Sequence, residues 1–155
     1  QLGVGYAFAA HFSATPPAPA FHAYRAAFTP TAAFPKPHAI LAVSALVAPT
    51  DEEAQFLSSS QALSWALFHS GELRKLVPPE RALAHVYSPH QQHIIDKQSE
   101  LWLVGSPETV KRMIDLKVAE TQADEVIVTT TVWDYALRQR SYRLLAEAYG
   151  LVPRG

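Results

Sequence analysis

Apolar residues are arranged along the chain in two ways, as short unbroken runs and as stripes with helical spacing. Val4-Gly5-Tyr6-Ala7-Phe8-Ala9-Ala10 has the length and the flanking turn residues of a short buried strand. His38 to Ala48 (HAILAVSALVA) is apolar almost throughout. A buried helix is one reading of it. Ile40, Val43 and Val47 and the prolines on either side favour a strand buried on both faces. Glu125 to Thr131 (EVIVTTT) is the strongest strand, dominated by β-branched side chains, and Leu101 to Val104 is a shorter apolar run.

The stripes predict helices. Phe21, Tyr24 and Phe28 share one face of a helix that follows the stiff Pro16, Pro17 and Pro19, and the proline-rich stretch from Thr29 to Pro37 reads as a loop. Thr50-Asp51-Glu52-Glu53 has the form of a capping box, with Thr50 accepting from orphan amides and Glu53 reaching back. Phe56, Ser60, Leu63 and Leu67 continue that helix to about Ser70, and Gly71 ends it. Ser106 caps a further helix with Pro107 in its first position, and Val110, Met113, Ile114 and Val118 form its buried stripe. A last helix from about Asp134 to Tyr149 buries Leu137, Ser141, Leu144 and Ala148 and stops at Gly150. Residues 72–100 read as an irregular excursion, because Pro78-Pro79 interrupts any pattern and His85, His90 and His93 sit in polar surroundings.

Strands alternating with helices imply parallel pairing and an α/β layered fold. Three strands with apolar residues on both faces make a poor free-standing sheet. The pattern therefore reads as part of a larger α/β barrel.

Composition narrows the chemistry. The 155 residues fit one domain, taken as residues 1–150. Cysteine is absent, which excludes disulfides, thiolate metal sites and a cysteine nucleophile. Thirteen basic residues against fourteen acidic ones leave no electrostatic case for nucleic acid. Charged residues are 17% of the chain, below the roughly one quarter usual for soluble domains, so apolar surface is expected to be covered by something else. No apolar run approaches the ~20 residues of a membrane span and no secretory signal opens the chain, which makes a cytoplasmic location the expectation. Gln1 in place of Met, and Leu151-Val152-Pro153-Arg154-Gly155 at the other end, suggest a fragment with a protease-site tag remnant over residues 151–155.

Several segments together resemble the luciferase-like flavin monooxygenases. They are Gly5-Tyr6-Ala7-Phe8-Ala9-Ala10-His11-Phe12 with Tyr24-Arg25-Ala26-Ala27-Phe28, and Val104-Gly105-Ser106-Pro107-Glu108-Thr109-Val110 with Ala123-Asp124-Glu125-Val126-Ile127-Val128-Thr129-Thr130. The closing Arg138-Gln139-Arg140-Ser141-Tyr142-Arg143-Leu144-Leu145-Ala146 is similar to that family's last helix. The resemblance implies the C-terminal part of a (β/α)8 TIM barrel, with Val4 to Ala10 as strand 6, His38 to Ala48 as strand 7 and Glu125 to Thr131 as strand 8. It also implies FMN, or the deazaflavin F420, as cofactor and a small organic substrate, as in bacterial luciferase. The family's strands 1 to 5 carry most flavin-phosphate contacts and the usual active-site histidine, and those positions lie outside this chain.

Barrel sites form where strands end. That rule, with the resemblance, makes Phe8, Ala9, Ala10, His11, Thr130 and Thr131 the candidate cofactor-binding residues, with His11 the candidate donor to flavin or substrate. Family members commonly carry Ser at the position of Ala10, so one side-chain hydrogen bond is lost here. Trp133 is read as packing on the last helix, with a wall of the flavin pocket as the alternative, and His22, Tyr24 and Arg25 as packing and surface. No residue is assigned a catalytic role. His90 and His93 lack a carboxylate at helical spacing, so no metal is expected, and capping alone explains Gly105-Ser106. Two functions follow. One is the C-terminal part of a flavin-dependent monooxygenase; the other is a non-catalytic half-barrel module pairing with itself or with a separate chain that supplies the rest of the barrel.

Overall fold

The computed structural model describes residues 3–13 and 15–152, so Pro153, Arg154 and Gly155 of the suspected tag lie outside the described residues, as does Gln1. The chain runs β1 (Tyr6–Ala9), α1 (Ala18–Ala27), β2 (Ala39–Val47), α2 (Asp51–His69), α3 (Pro79–Leu83), α4 (Pro89–Ser99), β3 (Trp102–Gly105), α5 (Pro107–Thr121), β4 (Glu125–Thr129) and α6 (Tyr135–Ala148). All strand pairs are parallel, and β2 is paired with each of the others. The α/β reading with a parallel sheet holds.

Register shows how β2 serves three partners. Residues Ala39 to Ala42 face β1, and Ile40 to Ser44 face β4. Ser44 is paired with Thr129 and also with Trp102, and one residue has one neighbour per edge. Strand β3 therefore lies on the edge used by β1, beyond its end. The short run Leu101 to Val104 thus becomes a fourth strand that extends the sheet at the C-terminal end of β2.

Alternation along β2 divides the interior in two. Ala39, Leu41, Val43, Ala45 and Val47 point to the outer face, into a core with Phe21 of α1, Val110 and Ile114 of α5 and Leu145 of α6. Leu46 and Ala48 belong to a second core, with Ala54 and Leu57 of α2 and Trp102 and Val104 of β3. On the inner face the upper half of the sheet is thus roofed by α2. The lower half is not: Ala7 and Ala9 are exposed and Ile127 keeps 49% of its surface.

Local signals account for most helix ends. Thr50 Oγ1 accepts from Glu53 N–H at 3.1 Å. The Glu53 carboxylate does not close the expected box; it is paired with Arg140 of α6. The buried positions of α2 include Leu57, Ser60, Leu63 and Leu67, while Phe56 remains 39% exposed, so the stripe lies one residue from where its start was read. Residues 72–100 are more regular than expected. Pro79 opens a helix because a first-turn proline lacks only an N–H that has no partner there, and Ser88 with Gln91 forms a complete capping box ahead of α4.

Two carboxylates stitch the layers. Asp124 accepts from Ala39 N–H at 2.7 Å and from Arg25 at 2.9 Å, joining the starts of β2 and β4 to α1. Burial pushes this carboxyl upward, but those bonds and the Arg25 charge outweigh it and hold it below the ordinary range. Arg25 also donates to the Gln122 carbonyl, so it is a clamp and not the surface residue expected. Asp51 accepts from Ser106 N–H at 2.6 Å and Thr109 Oγ1 at 3.2 Å, and the backbone bond from Ser106 is the main reason its carboxyl lies low. That approach requires Gly105, where a Cβ would stand 2.7 Å from Asp51 Oδ1.

Candidate functional site

Where β1, β2 and β4 end, the rim of the α2 roof leaves a cleft of about 230 Å3. Its floor is sheet: Ser44 of β2 and Thr129 of β4. One wall is α2, whose Gln61, Ser64 and Trp65 lie three and four residues apart and so share a face. Gln98 of α4 and Trp102 of β3 complete that side, and His11, Phe12 and Thr131 form the other. No Lys, Arg, Asp or Glu lines it.

The polar groups are held by hydrogen bonds to backbone and to one another. His11 Nδ1 lies 3.3 Å from the Ala42 carbonyl, and Gln98 Nε2 donates to the His11 carbonyl at 3.3 Å. Gln61, only 8% exposed, donates from Nε2 to Ser44 Oγ at 3.4 Å. An amide carries two donors and two acceptor lone pairs, so one bond leaves Gln61 with further capacity. Thr129 Oγ1 donates to the Val43 carbonyl at 3.3 Å.

Of the six candidate residues, the cleft gathers His11 and Thr131. Ala9 lies on the exposed inner face, below the cleft. Phe8 turns to the outer core, 6.3 Å from the Phe21 ring, and Ala10 is buried there. Thr130 is buried; its hydroxyl donates to the Ala45 carbonyl at 2.7 Å and its N–H to Tyr142 OH. Trp133 is 42% exposed, outside the core expected for it. His90 and His93 stand at exposed positions of α4, and among the described residues no three His, Asp or Glu side chains gather. Sequence reading missed Gln61, Trp65, Gln98 and Trp102. Only the spacing of Gln61 and Trp65 was a usable signal, and it needed the direction of α2 as well.

No family model matches the chain. The Bacillus subtilis (strain 168) protein YvbT is 34% identical over 149 residues, which are 96% of this chain and 44% of YvbT. A protein of Escherichia coli (strain K12) named luciferase-like monooxygenase is 31% identical over 144 residues, 93% of this chain and 43% of its own length. Among solved structures, apo-MsnO8 superposes with a TM-score of 0.87 at 34% identity, covering 99% of this chain and 47% of that one. The chain is a relative of the luciferase-like monooxygenases.

The chain spans about half the length of the curated relatives it matches. The uncovered lower inner face of its sheet agrees with a fold of which only part is present. No helix among the described residues is long and apolar enough to cross a membrane.

Proposed function

We propose that the chain forms one wall of the flavin and substrate pocket of a luciferase-like, flavin-dependent monooxygenase acting on a small organic compound. FMN is the flavin on this reading, with F420 as the alternative, and β1, β2 and β4 are strands 6, 7 and 8 of an eight-stranded barrel. The cleft at the strand ends is the observation that carries it. A flavin ring is planar, with neutral hydrogen-bonding groups along its edge. Gln61, Ser64, Gln98 and Thr131 supply neutral partners, and Trp65 and Trp102 supply flat apolar walls. At about 230 Å3 the cleft is smaller than the ~300 Å3 at which ligand pockets begin, so it holds part of a ligand and opens toward the rest. It carries no cation, so a phosphate lies outside it.

When bound, reduced flavin supplies the electrons for oxygen activation. The protein's share is position and dryness. His11 and Gln61 orient polar groups at the floor, while Trp65 and Trp102 exclude water. Titrating FMN against the chain while following tryptophan fluorescence tests this reading. Trp65 and Trp102 are expected to be quenched on binding, and Gln61→Leu to weaken affinity by about fivefold, the worth of one hydrogen bond. Unquenched tryptophans, or equal affinity in Gln61→Leu, contradict it.

A second reading rests on the open inner face, where Ile127 is 49% exposed. On it the chain pairs through that face, with the rest of the barrel or with another copy.

A further inference from the structure

Behind α2, on the side away from the strand floor, segment 72–85 encloses a second cavity of about 300 Å3. We propose that this cavity is an oxyanion site, taking a phosphate, sulfate or sulfonate group. Three features point to it. The first is charge: Arg74, Lys75 and Arg81 line the cavity against one carboxylate, Glu72. Glu72 is occupied by Arg74 at 2.5 Å, and among the described residues neither Lys75 nor Arg81 has an ion-pair partner. The second is Ser60, which is 1% exposed and lines the same cavity, yet its Oγ has no hydrogen-bond partner. Its neighbours on α2 behave as helical serines do, Ser58 donating to the Gln55 carbonyl at 2.8 Å and Ser59 to the Phe56 carbonyl at 2.7 Å. The third is His85, whose Nε2 is also buried and unpartnered at the cavity wall.

Buried polar atoms are almost always paired, and two orphans on residues that line one cavity with a cationic rim match the donors an oxyanion needs. Position adds to this. Ser64 lines both this cavity and the cleft, so the two sites share one stretch of α2. Nothing in the site depends on the ligand being a flavin.

Calorimetric titration of inorganic phosphate into the chain, at constant ionic strength held with sodium chloride, tests the proposal. Saturable binding is expected, weakened by about tenfold or more in the Lys75→Gln, Arg81→Gln double variant, where charge-assisted bonds are lost. Ser60→Ala should weaken it less, and Glu72→Gln should strengthen it by removing the competing carboxylate. Lys75, Arg81 and Glu72 are surface side chains, so melting curves of their variants should match that of the parent. Riboflavin and FMN separate the sources. If the anion is a flavin phosphate, the double variant loses the preference for FMN over riboflavin; if it belongs to the substrate, that preference is unchanged while phosphate binding is still lost. Heats no larger than those of sodium chloride, or equal phosphate affinity in the double variant, overturn the proposal.

Discussion

On the outer face of the sheet Leu41, Val43 and Ala45 are at most 2% exposed beneath α1, α5 and α6, whereas on the inner face Ile127 keeps 49% of its surface. The same strands supply both faces, and alternate residues of one strand meet these two environments. The outer face is a finished protein interior. The inner face is finished only where α2 and β3 cover Leu46 and Ala48, and the cleft lies at the boundary. A large apolar residue such as Ile127 is left where a neighbouring layer belongs. The difference separates what this chain stabilises alone from what it holds ready for a partner.

The largest effect should come from the finished side. Phe21 is fully buried against Tyr6 and Phe8, so Phe21→Ala should cost about 3–5 kcal/mol, read as a lower denaturant midpoint. Val128 points into that same core, so its replacement by Lys tests folding. Ile127→Lys addresses the other face. It should leave the stability of the folded chain within about 0.5 kcal/mol while changing association.

Acid should act next, through the two carboxylates that stitch the layers. Asp124 and Asp51 both lie below the ordinary value of 3.8 when folded. A depressed carboxyl contributes stability that is present above the unfolded value and lost as pH falls through the folded one. Melting temperature should therefore fall between about pH 5 and pH 2, and Asp124→Asn should melt lower at neutral pH and show a flatter acid limb. An unchanged acid limb in that variant would remove Asp124 from the account.

The smallest effect on folding belongs to the cleft. Ser44→Ala removes the partner of one Gln61 donor and should cost about 1 kcal/mol or less, with a larger proportional loss in FMN affinity than in stability. Equal losses in both would make the bond purely structural.

How much of this was legible depended on distance along the chain. Ser106, Thr50, Gly71 and Gly150 act within a few residues of themselves, and sequence located the helix ends they make. The outer core was legible because β2 and β4 are apolar and β-branched. Helix α4 was missed because it buries no residue and so has no stripe, although Ser88 and Gln91 carried its capping signature. The cleft was half legible. His11 and Thr131 end strands, which a general rule finds, but Gln98 meets His11 from 87 residues away. Arg25 looked like surface because its partner Asp124 is 99 residues away.

Sedimentation velocity of the chain and of Ile127→Lys, with far-UV circular dichroism on both, tests most directly whether the inner face is an interface waiting for cover. The parent should sediment as an assembly and the variant as a folded monomer. A parent that is a folded monomer, or a variant that keeps the parent's profile, would contradict it.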